Sequence, residues 1–67
     1  LPELEDMLQI SKPLNAPLSG LEKEELEVFQ LVFNNGFFQS VLDESPFTDL
    51  KTSRAVKKLC DNDYVYF

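Results

Sequence analysis

The chain has 67 residues, 12 acidic against 6 basic for a net charge of −6, with 43% hydrophobic and 27% charged content. It is one domain at most and too apolar for a disordered tail. The histidine count is zero and Cys60 is the lone cysteine, which excludes Ser/His/Asp and Cys/His catalytic sets and zinc sites built on His and Cys. Gly20 and Gly36 are the only glycines, so there is no phosphate-cradling loop. No apolar run approaches the roughly 18 residues of a membrane span, and no basic stretch followed by an apolar one marks a secretory signal. Cys60 has no partner within the chain, which suits a reducing, cytoplasmic setting. The chain opens on Leu1 rather than Met and is read as a piece of a longer protein.

Pro2 suits a first helical turn, and Leu4, Met7 and Leu8 follow at i, i+3, i+4, so a two-turn amphipathic helix is predicted there. Pro13 and Pro17 disfavour helix for the residues before them. "SKPLNAPLSG" is therefore expected to be an extended strap, with Leu14 and Leu18 pinning it to the domain; a bare linker is the alternative.

Ser19 and Glu22 match the S-x-x-E capping box and predict a first long helix over 20–34. Its apolar arc holds Leu21, Val28, Phe29, Val32 and Phe33, flanked by Leu26 and Leu31, wide enough for two neighbours. Lys23, Glu27, Gln30 and Asn34 share the wet face. Glu25 falls inside the apolar arc, and periodicity offers no reason for it beyond its place in the first turn. "NNG" at 34–36 stops the helix, with Gly36 or Asn35 in a left-handed cap.

A short helix is predicted over 37–44, with Phe37 and Val41, and Phe38 and Leu42, as i, i+4 pairs. "SPF" at 45–47 forces a turn, and Thr48 is the N-cap of a helix over 49–61 with Asp49 in its first turn. On that helix Thr52, Ala55, Val56, Leu59 and Cys60 fall together, while Lys51, Arg54, Lys57 and Lys58 fall opposite them with Ser53 alongside. "DND" at 61–63 ends it. "YVYF" is β-branched and aromatic and reads as a strand-like end. Alternation along Tyr64, Val65, Tyr66 and Phe67 predicts one side buried against the first helix and one side free to dock. The expected fold is all-α: a tri-helical, winged-helix-like helix-turn-helix bundle over 19–67, preceded over 1–18 by a short helix and strap.

The stretch "LSGLEKEELEVFQLVFNNGFFQSVLDESPFTDLKTSRAVKKLCDNDYV" over 18–65 resembles the degenerate helix-turn-helix segment of the bacterial PATAN family of response regulators and related signalling proteins. The pattern is a leucine-serine start before "EEL", an apolar "VFQLV", a stop at "NNG", the short "SVLDESP", and then "FTDLKTSRAVKKLCDNDYV". The proline-containing lead also looks like that family's approach to the segment. Where the family commonly ends its last helix on glycine and an apolar pair, this chain has Asp63. The resemblance implies a tri-helical fold within a multi-domain bacterial signalling protein, engaged in signal transduction by regulation or protein docking rather than catalysis.

Asp61-Asn62-Asp63 is too short for a calcium loop and lacks its glycine and bidentate glutamate, so neither metal nor cofactor is expected. Glu22, Glu24, Glu25 and Glu27 read as dipole complementarity at a helix start rather than as paired catalytic carboxylates. The candidate site is the basic set Lys51, Ser53, Arg54, Lys57 and Lys58. The leading expectation is a non-catalytic interaction module docking an acidic protein partner or a neighbouring domain of the parent chain, with no membrane and no small-molecule substrate. The alternative is DNA binding, with Arg54 reaching guanine and the lysines reaching phosphates. Net −6, Asp49, Asp61 and the four glutamates oppose it. A plain solvated face with charges matched by acidic neighbours is the third reading.

Overall fold

In the computed structural model residues 2–11 and 18–67 are described. They form a small helical domain with three helices and a short two-strand sheet. In chain order these are β1 (Gln9–Ile10), a 3₁₀ turn at Leu18–Gly20, α1 (Lys23–Asn35), α2 (Phe38–Glu44), α3 (Asp49–Asp61) and β2 (Val65–Tyr66). The strands pair antiparallel, Gln9 opposite Tyr66 and Ile10 opposite Val65.

The helix predicted around Leu4, Met7 and Leu8 does not form: Leu4 and Glu5 make a turn, closed by the Asp6 amide on the Glu3 carbonyl at 3.0 Å, and the chain then runs extended. The reason lies in α2. Its N-cap, Phe37, has no side chain able to satisfy the first amides of the helix. Those amides go to the N-terminal segment instead, Phe38 to the Asp6 carbonyl and Gln39 to the Leu4 carbonyl, each at 3.1 Å. Met7 forms a bridge with Phe37, and the Leu8 amide donates to the Gly36 carbonyl at 2.7 Å. Residues 4–11 are thus threaded between the α1–α2 junction on one side and β2 on the other. Leu8 is buried in the same core as the helices. Of the expected strap over 11–20, residues 12–17 with Leu14 lie outside the described residues, as does the Leu18 side chain; its last three residues form the 3₁₀ turn rather than extended chain.

The first long helix starts at Lys23, three residues later than Ser19 predicts, with Glu22 as N-cap and a 3₁₀ turn before it. It ends at Gly36, whose φ of +83° is open only to glycine at low strain, and whose amide donates to the Val32 carbonyl at 3.0 Å. Val28, Phe29 and Val32 enter the core. Phe33 does not: it is 66% exposed, and Leu26 is 43% exposed. Both sit about a quarter-turn off the line through Glu25, Phe29 and Val32 that faces the core. The arc is therefore narrower than its composition suggests. Lys23, Glu27, Gln30 and Asn34 are exposed as expected.

In α2, Phe38 and Val41 are buried while Phe37, held in extended backbone against Met7, stays 45% exposed. The turn to α3 is tied by hydroxyls. The Phe47 amide donates to Ser45 Oγ at 3.1 Å, Ser45 Oγ lies 2.7 Å from Thr52 Oγ1, and Thr52 Oγ1 donates to the Thr48 carbonyl at 2.9 Å. Thr52 is fully buried, so this chain of bonds satisfies a polar group inside the core while fixing where α3 begins. Thr48 caps α3 by accepting the Lys51 amide at 3.2 Å.

The end of α3 is a Schellman arrangement: the Tyr64 amide reaches the Leu59 carbonyl at 2.9 Å and the Asp63 amide reaches the Cys60 carbonyl at 3.2 Å. Asp63 carries the left-handed residue of that motif, with φ of 64°. Tyr64 and Val65 are both buried, so burial does not alternate along the tail as predicted. Tyr64 belongs to the helix cap and packs edge-on against Phe29, with centroids 6.3 Å apart; the strand ladder begins only at Val65.

Phe33→Ala is expected to leave stability within about 0.5 kcal/mol, whereas Phe29→Ala should cost about 3–5 kcal/mol and unfold so small a domain. Thermal melts of the two variants separate them. Asp63→Gly should raise stability by about 0.5–1 kcal/mol by relieving the left-handed strain, and Asp63→Val should lower it by at least as much. Urea midpoints read both.

Candidate functional site

The basic set is carried by α3, whose start is held by the Thr48 cap and the Ser45–Thr52 hydroxyl pair. Lys51, Arg54, Lys57 and Lys58 are all exposed; Ser53 is half-buried. Lys51, Arg54 and Lys58 recur at i, i+3, i+7 and form one wall of an open groove of about 390 Å³. Ala55 lies at its floor, and Glu22, Glu24 and Glu25 from the start of α1 form the facing wall. Lys57 belongs to the outer side of the helix and Ser53 to neither wall, so three of the five predicted residues share the groove.

The cations differ in what holds them. Lys58 Nζ is 3.0 Å from Glu25 Oε2, whose side chain is only 11% exposed. Lys57 Nζ is 2.9 Å from Asp61 Oδ2, but both side chains are more than 60% exposed, so this pair contributes little. Lys51 sits 5.8 Å from the Phe47 ring centroid, at the outer limit of a cation–π contact. Arg54 makes no ion pair among the described residues.

Glu25 explains its place in the apolar arc. It stands at the third position of α1 and accepts the Glu22 amide at 3.1 Å, the reach-back bond of a capping box shifted three residues from the predicted one. Its other oxygen holds Lys58. The Glu22 amide is the main influence keeping the Glu25 carboxyl below its ordinary pKa; burial works against it, and the Lys58 ammonium adds to it. The Lys58 ammonium is in turn held above its ordinary value by its bond to Glu25 and by the charges of Glu25 and Glu22. Burial and the neighbouring Asp61 raise the Cys60 thiol, which keeps it protonated and unreactive at neutral pH. "DND" serves the helix end: Asp61 pairs with Lys57, and Asn62 Nδ2 donates to the Lys58 carbonyl at 2.9 Å.

Reading the sequence by charge alone misses the acidic wall. The available signal was the pair Glu22 and Glu25, three apart at a helix start, which forms a capping box in its own right. No family model, curated protein or solved structure matches this chain.

Because the Glu25 carboxyl titrates lower in the folded chain than its ordinary value, the unfolded chain takes up its proton first as pH falls. The stability it supplies is complete above the ordinary carboxylate pKa of about 4.3 and drains away as pH drops through the folded value. Glu25→Gln keeps an acceptor for the Glu22 amide and removes the charge, so its urea midpoint should fall less steeply between about pH 5 and 3 than that of the native chain. Parallel curves would show that the charge is immaterial. Glu25→Ala, which also leaves the Glu22 amide unpartnered, should cost about 1 kcal/mol or more at neutral pH.

Proposed function

We propose that this chain is a non-catalytic interaction or regulatory module of a larger bacterial signalling protein of the PATAN kind, working in the reducing cytoplasm. It docks an acidic partner surface through the start of α3. The observation that carries this is the state of the cations. Lys58 is engaged by Glu25 and Lys57 by Asp61, while Lys51 and Arg54 project from the capped start of the helix with no carboxylate of their own among the described residues. Arg54 suits bidentate capture of a partner carboxylate. The winged-helix-like reading is supported by the turn over 45–48 between α2 and α3, and by three extended segments beside the helices: Phe37, residues 7–10 and β2.

DNA recognition by α3 is the second reading, favoured by the position of Lys51 and Arg54 near the start of the second helix of a helix-turn-helix order. The groove geometry weighs against it. Duplex DNA carries a phosphate charge every ~1.7 Å of axis, and a groove walled by Glu22, Glu24 and Glu25 would face that polyanion along with Arg54. A protein surface presents carboxylates at discrete points and avoids this repulsion.

NMR titrations of the labelled chain with a short acidic peptide and, separately, with short duplex DNA at low salt test the two readings. The acidic peptide should shift amides over 49–58, Arg54→Glu should weaken it about tenfold or more, and Lys57→Glu should weaken it less. Tighter binding of the duplex, with a steep loss as salt rises, would replace protein docking by DNA binding. Silence with both would refute the assignment of α3 as a binding face.

A further inference from the structure

A second surface lies where the N-terminal segment meets the α1–α2 junction, and it uses none of the α3 residues. Leu4, Met7 and Phe37 are 46%, 50% and 45% exposed. They are not scattered. Met7 forms a bridge with Phe37, and the Leu4 carbonyl accepts the Gln39 amide. Leu4, Glu5, Phe37, Gln39 and Ser40 together line an open groove of about 490 Å³. Three backbone hydrogen bonds hold its walls, donated across the junction by the amides of Leu8, Phe38 and Gln39; the first two of them make the Met7–Phe37 bridge. The apolar side chains are therefore presented on fixed backbone, which limits the ordering cost of binding.

Among the described residues the charge around this groove has one sign. Glu5 lines it, Glu3 and Asp6 lie on the same turn, and Gln39 Nε2 donates to Asp43 Oδ1 at 3.4 Å, which places a further carboxylate beside it. Among the described residues no lysine or arginine lines it. A contiguous apolar patch on a small domain marks an interaction site more often than an isolated exposed leucine does. An acidic rim around it selects a cationic partner.

We propose that this groove binds a basic amphipathic helix of a partner protein, with an apolar anchor seated between Leu4 and Phe37, exposed Met7 beside Phe37 at the groove's edge, and flanking lysines or arginines on Glu5, Glu3 and Asp43. The mode is that of a helix laid in a groove. It is independent of the acidic partner assigned to α3, because the two surfaces call for partners of opposite charge.

The probe is a synthetic amphipathic helical peptide of leucine and lysine, with a leucine and glutamate peptide of the same pattern as control, titrated into the labelled 67-residue chain. The lysine peptide should shift amides over 4–7 and 37–40 and the glutamate peptide should not. Leu4→Ser should weaken binding about tenfold, and Glu5→Lys should weaken it several-fold while admitting the glutamate peptide. Arg54→Glu should leave it unchanged. Both test positions are exposed, and amide dispersion of each free variant reports its folding; Met7→Ser replaces Leu4→Ser should the latter unfold. Equal shifts with both peptides, or shifts spread over the whole surface, would overturn the proposal. So would concentration-dependent shifts at 4–7 and 50–54 in the chain alone. That result would give the groove to the α3 start of a second copy, which itself carries exposed Leu50 beside Lys51 and Arg54.

Discussion

The packing of α1 against α3 is the constraint on which the remaining structure depends. Val28, Val56 and Leu59 are fully buried at this contact, and Val41 from α2 joins them with no exposed surface. A chain this short can support one core only, and two crossed helices leave that core open at the sides. α2 covers one side. The two ends of the described chain close another: Leu8 and Val65 are brought to the core by adjacent antiparallel segments, and Tyr64 follows them in, edge-on against Phe29. Burial of apolar area is worth about 25 cal/mol per Å². In a domain with this little core, recruiting both ends of the described chain outweighs what a separate two-turn helix at 3–10 would contribute.

One carboxylate links this packing to the surface. Glu25 sits at the α1–α3 contact, completes the N-terminal hydrogen bonding of α1, and draws Lys58 across from α3. A buried charge without such partners would be costly. Here both oxygens are engaged, so the charge is tolerated and the relation of the two helices is tied to it. The same pairing removes Lys58 from the pool of unengaged cations and places Glu22 and Glu24 across from Lys51 and Arg54. A helix that looks uniformly basic in isolation becomes one wall of a groove with mixed charge.

The domain thereby presents two chemically distinct surfaces on separate elements. One is polar and two-signed, built on the capped start of α3. The other is apolar with an acidic rim, built where the N-terminal segment supplies the hydrogen bonds α2 lacks. Each follows from a solution to a backbone accounting problem. The hydroxyls of Ser45, Thr48 and Thr52 position the first, and the carbonyls of Leu4 and Asp6 position the second.

Local chemistry by itself determined much of this. Thr48 as cap, α3 over Asp49–Asp61, Gly36 as the stop of α1, the wet face of Lys23, Glu27, Gln30 and Asn34, and the buried face of Thr52, Ala55, Val56 and Leu59 were all legible, with Cys60 of the expected face only half-buried. Each depends on groups within four residues of one another. Tertiary structure decided the rest. Leu4, Met7 and Leu8 have helical spacing, but their segment turns once at Leu4 and Glu5 and then runs extended, because distant amides at 38 and 39 claim its carbonyls. Phe33 has the right residue type for a core, but the neighbouring helices cover only part of the arc. Glu25 looked misplaced until Lys58, 33 positions later, came within 3.0 Å. Short-range spacing records what a segment is able to form. Which of its groups are already claimed by another part of the chain is a fact of three dimensions, and that decided where the charges and the exposed apolar side chains finally lie.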